Sequence, residues 1–375
     1  MNLHVLKKMV RLASYTIAFF LISCNQKTGE YSSATTFSSK NTTDSHLLLP
    51  TSMVRVKSLQ FSSNSDVLLV AGSRRRNDFN SNVLELWDTT EWKIVNSLGA
   101  GFKSISWASF YDDGKIVYLD FEGGLSLWEI DNKNRPIALI DGRGRDTSVT
   151  MALSASKKLV ALGYDSSKLS RELKLFSIER NQTKEINILR EGYRWSSLDF
   201  TPDGSMLASV SIFEEENKSF LDIINIEDDS IYQSFEIPYK IFDINFVSEN
   251  ILAISGSNGH IEIFKFGDFQ NNYFSNLYSF DDLNNSVLSS ANGNNNIFAV
   301  GSFFSNGIDT VWGRIKILSA ISGELRCLVD DIRGASNINT DIALSSDGLT
   351  LAATENGQIK IWNLESCHEK CDRSL

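Results

Sequence analysis

The sequence predicts an all-β fold built from seven four-stranded sheets. A four-residue pattern of aliphatic, polar, aliphatic and bulky residues occurs seven times, and a second apolar run precedes each copy. Alternation with period two is typical of a strand. The copies lie roughly 40–54 residues apart, which is typical of four-stranded propeller blades. We therefore expect a seven-bladed β-propeller.

The repeated pattern marks the third strand of each blade, and the preceding run marks the second. The third-strand copies are LELW (84–87), LSLW (125–128), LKLF (173–176), LDII (221–224), IEIF (261–264), IKIL (315–318) and IKIW (359–362). The second-strand runs are LLVAGS (68–73), KIVYLD (115–120), KLVALGY (158–164), MLASVS (206–211), ILAISGS (251–257), IFAVGS (297–302) and LTLAAT (349–354). Turn sequences such as Asp113-Gly114 and Asp347-Gly348 separate first from second strands. Segments such as KIVNSL (93–98) and IYQSF (231–235) supply fourth strands.

The last blade lacks a fourth strand of its own, because the residues after Leu364 show no strand pattern. In the second blade the outer strand, Ile94–Leu98, lies 12–16 residues before Phe110, which belongs to the inner strand. Counting back equally from Phe61 reaches SHLLL at 45–49. We therefore expect an N-terminal strand to complete the last blade, close the ring and remove a sheet edge.

From about Leu47 to Leu364 the chain resembles the WD40 repeat family. The best copies are FTPDGSMLASVS (200–211) and LSSDGLTLAATENGQIKIWNL (344–364). The Trp-Asp pair survives at Trp87-Asp88 and loosely at Trp128 and Trp362, whereas blades 3 to 6 carry Phe176, Ile224, Phe264 and Leu318. Gly259-His260 lies before a third strand, away from its usual position. These departures weaken the expectation of the family's Asp–His–Ser–Trp network and leave the architecture intact.

Residues 1–23 predict an export signal. Lys7, Lys8 and Arg11 precede an apolar run of roughly 16 Å as a helix, too short to span a bilayer. Leu21-Ile22-Ser23-Cys24 resembles the bacterial lipobox, which implies lipidation of Cys24. The alternative is a plain secretory signal. Asn25 is not the aspartate of inner-membrane retention, so we expect anchorage to an envelope membrane, the outer one in a Gram-negative cell.

We divide the chain into the signal (1–23), the lipidated cysteine with a disordered Ser/Thr-rich tether (24–45), the propeller (46–366) and a C-terminal tail (367–375). The tether has almost no large aliphatic residues to offset its ordering entropy. The formal charge is −10, with 46 Asp and Glu against 36 Lys and Arg, which argues against binding nucleic acid.

Nothing in the sequence predicts catalysis or a cofactor. Beyond the signal only His46, His260 and His368 remain, in different blades or in the tail, so no base has a convergent nucleophile. Cys327, Cys367 and Cys371 lack the spacing of a zinc site. A disulfide between two of them, most simply Cys367–Cys371, and unpaired thiols both stay open.

The loops that join second to third strands, and those that join blades, share one face of a propeller. Aromatic and cationic residues gathered in these loops have the composition of a protein interface. They are Arg74, Arg75, Arg76, Phe102, Lys103, Arg143, Arg145, Tyr193, Arg194, Trp195, Tyr239, Lys240, Phe303 and Phe304.

The function expected is a membrane-anchored, monomeric scaffold that binds a protein partner. One alternative is a scaffold of an envelope assembly machine, similar to barrel-assembly lipoproteins, although those typically have eight blades. The other alternative is an enzyme or small-molecule sensor using the central channel, for which the expected ring of His, Asp or Glu is not evident.

Overall fold

A computed structural model describes residues 46–51, 53–76, 79–99, 105–131, 136–142, 147–166, 172–186, 193–257, 260–265, 275–279, 287–292, 297–305, 311–334, 341–355 and 358–365. They belong to one compact unit, Asn41–Leu375.

Within these ranges the chain forms seven antiparallel sheets of four strands each. The strands are β1 (His46–Leu49), β2 (Met53–Phe61), β3 (Val67–Arg76), β4 (Phe79–Asp88), β5 (Lys93–Gly99), β6 (Ile105–Asp112), β7 (Lys115–Asp120), β8 (Leu125–Glu129), β9 (Ile137–Ile140), β10 (Thr147–Ser154), β11 (Leu159–Ser166), β12 (Glu172–Ser177), β13 (Gln182–Ile186), β14 (Tyr193–Phe200), β15 (Met206–Phe213), β16 (Lys218–Asn225), β17 (Ile231–Ile237), β18 (Ile241–Ser248), β19 (Ile251–Gly256), β20 (Ile261–Lys265), β21 (Ser275–Ser279), β22 (Val287–Asn292), β23 (Ile297–Ser305), β24 (Val311–Ser319), β25 (Leu325–Gly334), β26 (Ile342–Leu344), β27 (Thr350–Glu355) and β28 (Gln358–Asn363).

The sheets are the blades of a seven-bladed propeller, which confirms the predicted fold. Blades 1 to 6 each take four consecutive strands, from β2–β5 to β22–β25. Every copy of the repeated pattern lies in the third strand of its blade. The strands are rich in apolar residues because each blade is covered on both sides by its neighbours.

Blade 7 combines the two ends of the propeller. Its strand order is β1-β28-β27-β26, so the N-terminal strand is the outer strand of the last blade. His46 lies opposite Trp362 and Leu49 lies opposite Ile359. Leu49 is 2% exposed and packs in the core between blades 7 and 1. This pairing joins residues more than 300 positions apart through backbone hydrogen bonds.

The hydrophobic core consists of seven clusters, one at each interface between adjacent blades. The bulky residue of each repeat always lies in the cluster shared with the preceding blade. These residues are Trp87, Trp128, Phe176, Ile224, Phe264, Leu318 and Trp362. A large apolar side chain at this position fills the wedge between two blades, which explains why Phe, Ile or Leu can replace Trp there.

Side chains also join the innermost strands of neighbouring blades. The Leu59 amide in blade 1 donates to Asp341 Oδ2 in blade 7 at 2.7 Å. The Phe246 amide in blade 5 donates to Asp199 Oδ2 in blade 4 at 2.6 Å. In the same way the Phe110 amide donates to Gln60 Oε1 at 2.8 Å. These bonds satisfy amides on the inner edges of blades 1, 2 and 5 that no further strand can pair.

Candidate interaction face

The strand directions define two faces of the propeller. We call the face that carries the second-to-third loops and the blade-to-blade loops the upper face. The first-to-second and third-to-fourth turns form the lower face. Turns of neighbouring blades meet there, as where Ser65 Oγ and Ser346 Oγ lie 2.6 Å apart. The predicted interface residues that the structure describes belong to the upper face.

Two of the predicted interface aromatics are core residues. Trp195 and Tyr239 are each 7% exposed. Trp195 packs between blades 3 and 4, and Tyr239 stacks on His260 with ring centroids 4.5 Å apart. Their loops lead directly into first strands, so the side chains turn inward and fill the upper end of the blade interfaces. The prediction that they form a contact surface is therefore corrected.

Glycines in second strands make room for these aromatic rings. A Cβ atom on Gly163 of β11 would lie 2.8 Å from Trp195 Cγ, closer than such atoms approach. On Gly256 of β19 it would lie 2.7 Å from the Tyr239 ring. The glycines in KLVALGY and ILAISGS were the sequence signal for this burial, since glycine within a strand marks a close approach.

Arg74, a predicted interface residue, forms an ion pair within blade 1. Its guanidinium donates to Glu85 Oε1 at 2.8 Å, and the Glu85 side chain is fully buried. Glu85 Oε2 also accepts bonds from Thr51 Oγ1 and Trp87 Nε1, both at 3.2 Å. Blade 1 thus replaces the family's Asp–His–Ser–Trp network by a carboxylate that links a blade-to-blade loop to strands two and three.

Several predicted interface residues lie partly or wholly outside the described structure. The backbones of Arg75, Arg76, Phe303 and Phe304 belong to β3 and β23, and their side chains are outside the described residues. Phe102, Lys103, Arg143 and Arg145 are outside them altogether. For all eight the interface role stays a prediction.

Tyr193, Arg194 and Lys240 come together above blades 4 and 5. Arg194 Nε and Lys240 Nζ donate to the two oxygens of Glu214, which lies in the second-to-third loop of blade 4. The bonds from Lys240 and Arg194 hold the pKa of Glu214 below its usual value. Both cations thus share one carboxylate, which offsets one of their two charges. The separate segments of the sequence did not predict this arrangement.

Aromatic rings adjoin this ion-pair group. The Tyr193 ring centroid lies 4.9 Å from that of Phe213 and 5.2 Å from that of Phe220. Lys218 Nζ lies 5.9 Å and 5.7 Å from these two phenylalanine rings and pairs with Glu216 and Glu236. All three rings are half-buried. The blade 4–5 cluster is defined as Tyr193, Arg194, Phe213, Glu214, Lys218, Phe220 and Lys240.

A second cluster on the upper face, between blades 1 and 2, was not predicted. Val54 is 50% exposed and Phe121 is 48% exposed, beside the exposed Arg55. Lys57 Nζ lies 5.4 Å from the Phe121 ring centroid, a cation–π geometry. Burial, and then the charge of Arg55, lower the pKa of Lys57. We call Val54, Arg55, Lys57 and Phe121 the blade 1–2 cluster.

A tight turn holds Phe121 outward. Asp120 Oδ1 accepts the amides of Glu122 at 2.9 Å and Gly124 at 2.8 Å. Gly123 has φ of 81°, a conformation that favours glycine. The turn is short and so lacks the length that marks the other second-to-third loops in the sequence.

Along the described ranges, no three His, Cys, Asp or Glu side chains lie close enough to hold a metal ion. Cys327 is 3% exposed and forms a disulfide. Cys24, Cys367 and Cys371, the other cysteines, lie outside the described residues. The expected Cys367–Cys371 pairing does not account for the bond at Cys327.

Comparison with known proteins supports the WD40 assignment of the repeats. The model of the WD domain, G-beta repeat (WD40) matches residues 327–363, from β25 to β28. The solved β-propeller domain of Cps50 (Swd1) from Myceliophteria thermophila is similar with a TM-score of 0.63. These matches support the WD40 propeller family.

The similarity to the β-propeller domain of Cps50 concerns the fold. Sequence identity is 14%, over 85% of this chain and 99% of that one. No curated protein sequence matches the chain. Among the residues that the structure describes, no helix has the length and apolarity needed to cross a membrane.

Proposed function

We propose that the chain is a non-catalytic scaffold that binds a protein partner through the upper face of its propeller, and that lipid on Cys24 holds it at a bacterial envelope membrane. WD40 propellers in general act as protein-interaction scaffolds, which supports the first part. The lipobox-like Leu21–Cys24 supports the second. The disulfide at Cys327 agrees with folding in an oxidising compartment.

The blade 1–2 cluster is the observation that carries the binding proposal. The exposed Phe121 lies beside Lys57, and the exposed Val54 and Arg55 precede this lysine in β2. Among the described residues neither Arg55 nor Lys57 forms an ion pair. Aromatic and arginine side chains dominate interface energetics because they bury large areas and donate several hydrogen bonds. In the blade 4–5 cluster the cations are already paired with carboxylates. We therefore assign the principal contact to blades 1 and 2.

Photo-crosslinking in the native cell would identify the partner. A photoreactive residue is placed at Val54 in one strain and at Tyr232, a comparably exposed position on the outer strand of blade 4, in a second. Binding by the upper face predicts a partner that is captured only from position 54. Capture of the same proteins from both positions would contradict the proposal.

The double variant Arg55→Ala, Phe121→Ala should weaken binding to that partner about tenfold or more, since each hot-spot truncation costs about 1 kcal/mol or more. Both side chains are largely exposed, so the melting temperature should hardly change. The control Arg180→Ala, Tyr232→Ala likewise removes one guanidinium and one aromatic ring, but from the lower face and the outer edge. Equal affinity of the two double variants for the partner would refute the assignment.

A further inference from the structure

A cleft of about 300 Å³ opens on the lower face between blades 1 and 2. It is separate from both upper-face clusters and has no part in the function proposed above. Its lining residues come from strands and turns of both blades: Ser62, Asn64, Val67, Leu86, Val95, Asn96, Phe110, Asp113, Ile130 and Asp131.

Hydrogen bonds between the blades fix the walls of this cleft. Asn96 Nδ2 of β5 donates to the Ile130 carbonyl at 2.9 Å. Ser63 Oγ in the first turn of blade 1 donates to Asp113 Oδ1 in the corresponding turn of blade 2 at 3.2 Å. The cleft is therefore preformed, and a ligand would not have to order it.

The lining combines an apolar wall with negative charge. Val67, Leu86, Phe110 and Ile130 supply apolar surface, and Val95 is 59% exposed at the opening. Asp113 and Asp131 are exposed acids, and none of the ten lining residues is a cation. Such a lining attracts a cation and also removes an aliphatic group from water.

We propose that this cleft binds a segment of a partner polypeptide in which an arginine or lysine lies beside an aliphatic side chain. Long basic side chains match this chemistry because their methylene groups cover apolar surface while the charged end stays at the carboxylates. The volume is at the lower end for ligand sites, enough for about one long side chain and its neighbour. An anionic lipid surface would be repelled by the same acids.

The test uses the full-length protein in detergent and a fluorescein-labelled synthetic peptide, Gly-Leu-Arg-Leu-Lys-Gly, followed by fluorescence anisotropy. The charge-reversed peptide Gly-Leu-Glu-Leu-Glu-Gly is the peptide control. A third probe, spermidine, carries cationic charge without the aliphatic side chain. A photoreactive version of the basic peptide reports by mass spectrometry which residues it contacts.

Asp113→Asn with Asp131→Asn should weaken binding of the basic peptide at least fivefold, and Val95→Ser about threefold. The control Glu215→Gln with Glu227→Gln removes two exposed acids elsewhere and should leave affinity unchanged. Crosslinks should fall on segments containing Val95 or Ile130. All five substituted positions are exposed, so melting temperatures should match the parent protein.

Three results would overturn the proposal. The first is an equal loss of affinity in both double variants, which would mean that only the general acidity of the protein attracts the peptide. The second is crosslinking away from blades 1 and 2. The third is binding of spermidine as tight as that of the peptide with no effect of Val95→Ser, which would make the cleft a site for small amines.

Discussion

At the scale of single residues, burial and hydrogen bonding have opposite effects on the ionisation of Asp199 and Asp341. Both are partly buried along the inner strands of the propeller and accept backbone amides from the neighbouring blade. Burial raises the pKa of each to about 7; the amide bonds oppose this shift, and the charge of Asp243 adds to it. The carboxylates that join the inner strands are thus costly to ionise, and this makes the stability of the ring depend on pH.

The sign of that dependence follows from proton binding. The folded state holds these protons up to about pH 7, whereas the unfolded chain releases them near pH 4. The stabilisation is fully present below pH 4 and is lost as the pH rises through 7, by on the order of 4 kcal/mol at most for each group. Asp341→Asn should reduce this part of the slope in the free energy of unfolding between pH 4 and 8.

Chemical denaturation at several pH values measures the slope directly. Glu227→Gln, which removes an exposed lower-face carboxylate, serves as control and should retain the parent slope. Indistinguishable slopes for Asp341→Asn and the parent would show that Asp341 does not titrate in this window.

At the scale of elements, strand patterning predicted far more than loop chemistry did. The seven third strands were predictable because each needs a bulky apolar residue at the same position, where it fills the space next to the preceding blade. Trp195 and Tyr239 were misassigned because loop aromatics look alike in sequence whether they point outward or fold back onto a strand. The pairing of Arg194 and Lys240 with Glu214 depends on three loops meeting in space, and Phe121 depends on a four-residue turn.

Gly163→Ala tests whether strand glycines make room for the loop aromatics. The new Cβ would meet the buried Trp195 ring at 2.8 Å, so we expect a loss of about 1–3 kcal/mol in the free energy of unfolding. Gly99→Ala in β5 is the matched control, because nothing lies within 4 Å of its Cβ position. Equal effects of the two changes on thermal melting would refute the steric explanation.

At the scale of the whole molecule, seven interfaces of similar construction form one ring. Among the described residues the main contacts between blades join neighbours in the ring. Blade 7 is a complete four-stranded sheet only when β1 supplies its outer strand. The need for that strand was predictable by counting, because a four-stranded unit lacked one strand at the C-terminal end. The identity of the partner was not predictable, since the propeller fold determines where the loops emerge but does not determine which residues they carry.

The proposed anchor also belongs to this scale. Cys24→Ala removes the only thiol that the lipobox-like segment offers, so the protein should move from the membrane fraction to the soluble fraction and lose incorporation of a labelled fatty acid. Ser23→Ala keeps the cysteine and a small residue before it, and should stay with the membrane. Unchanged membrane association of Cys24→Ala would show that lipid on this residue is not what holds the protein.

The pairing of β1 with β28 also sets how the propeller would respond to mechanical tension. The strand enters at its lower end, at His46, and is held along four opposed residue pairs up to Leu49. Tension transmitted through the residues before His46 and directed along the strand would load these hydrogen bonds together, in shear. The same tension applied across the strand would open them one pair at a time, from Trp362 upward. The direction of pull, more than its size, would decide whether the ring stays closed.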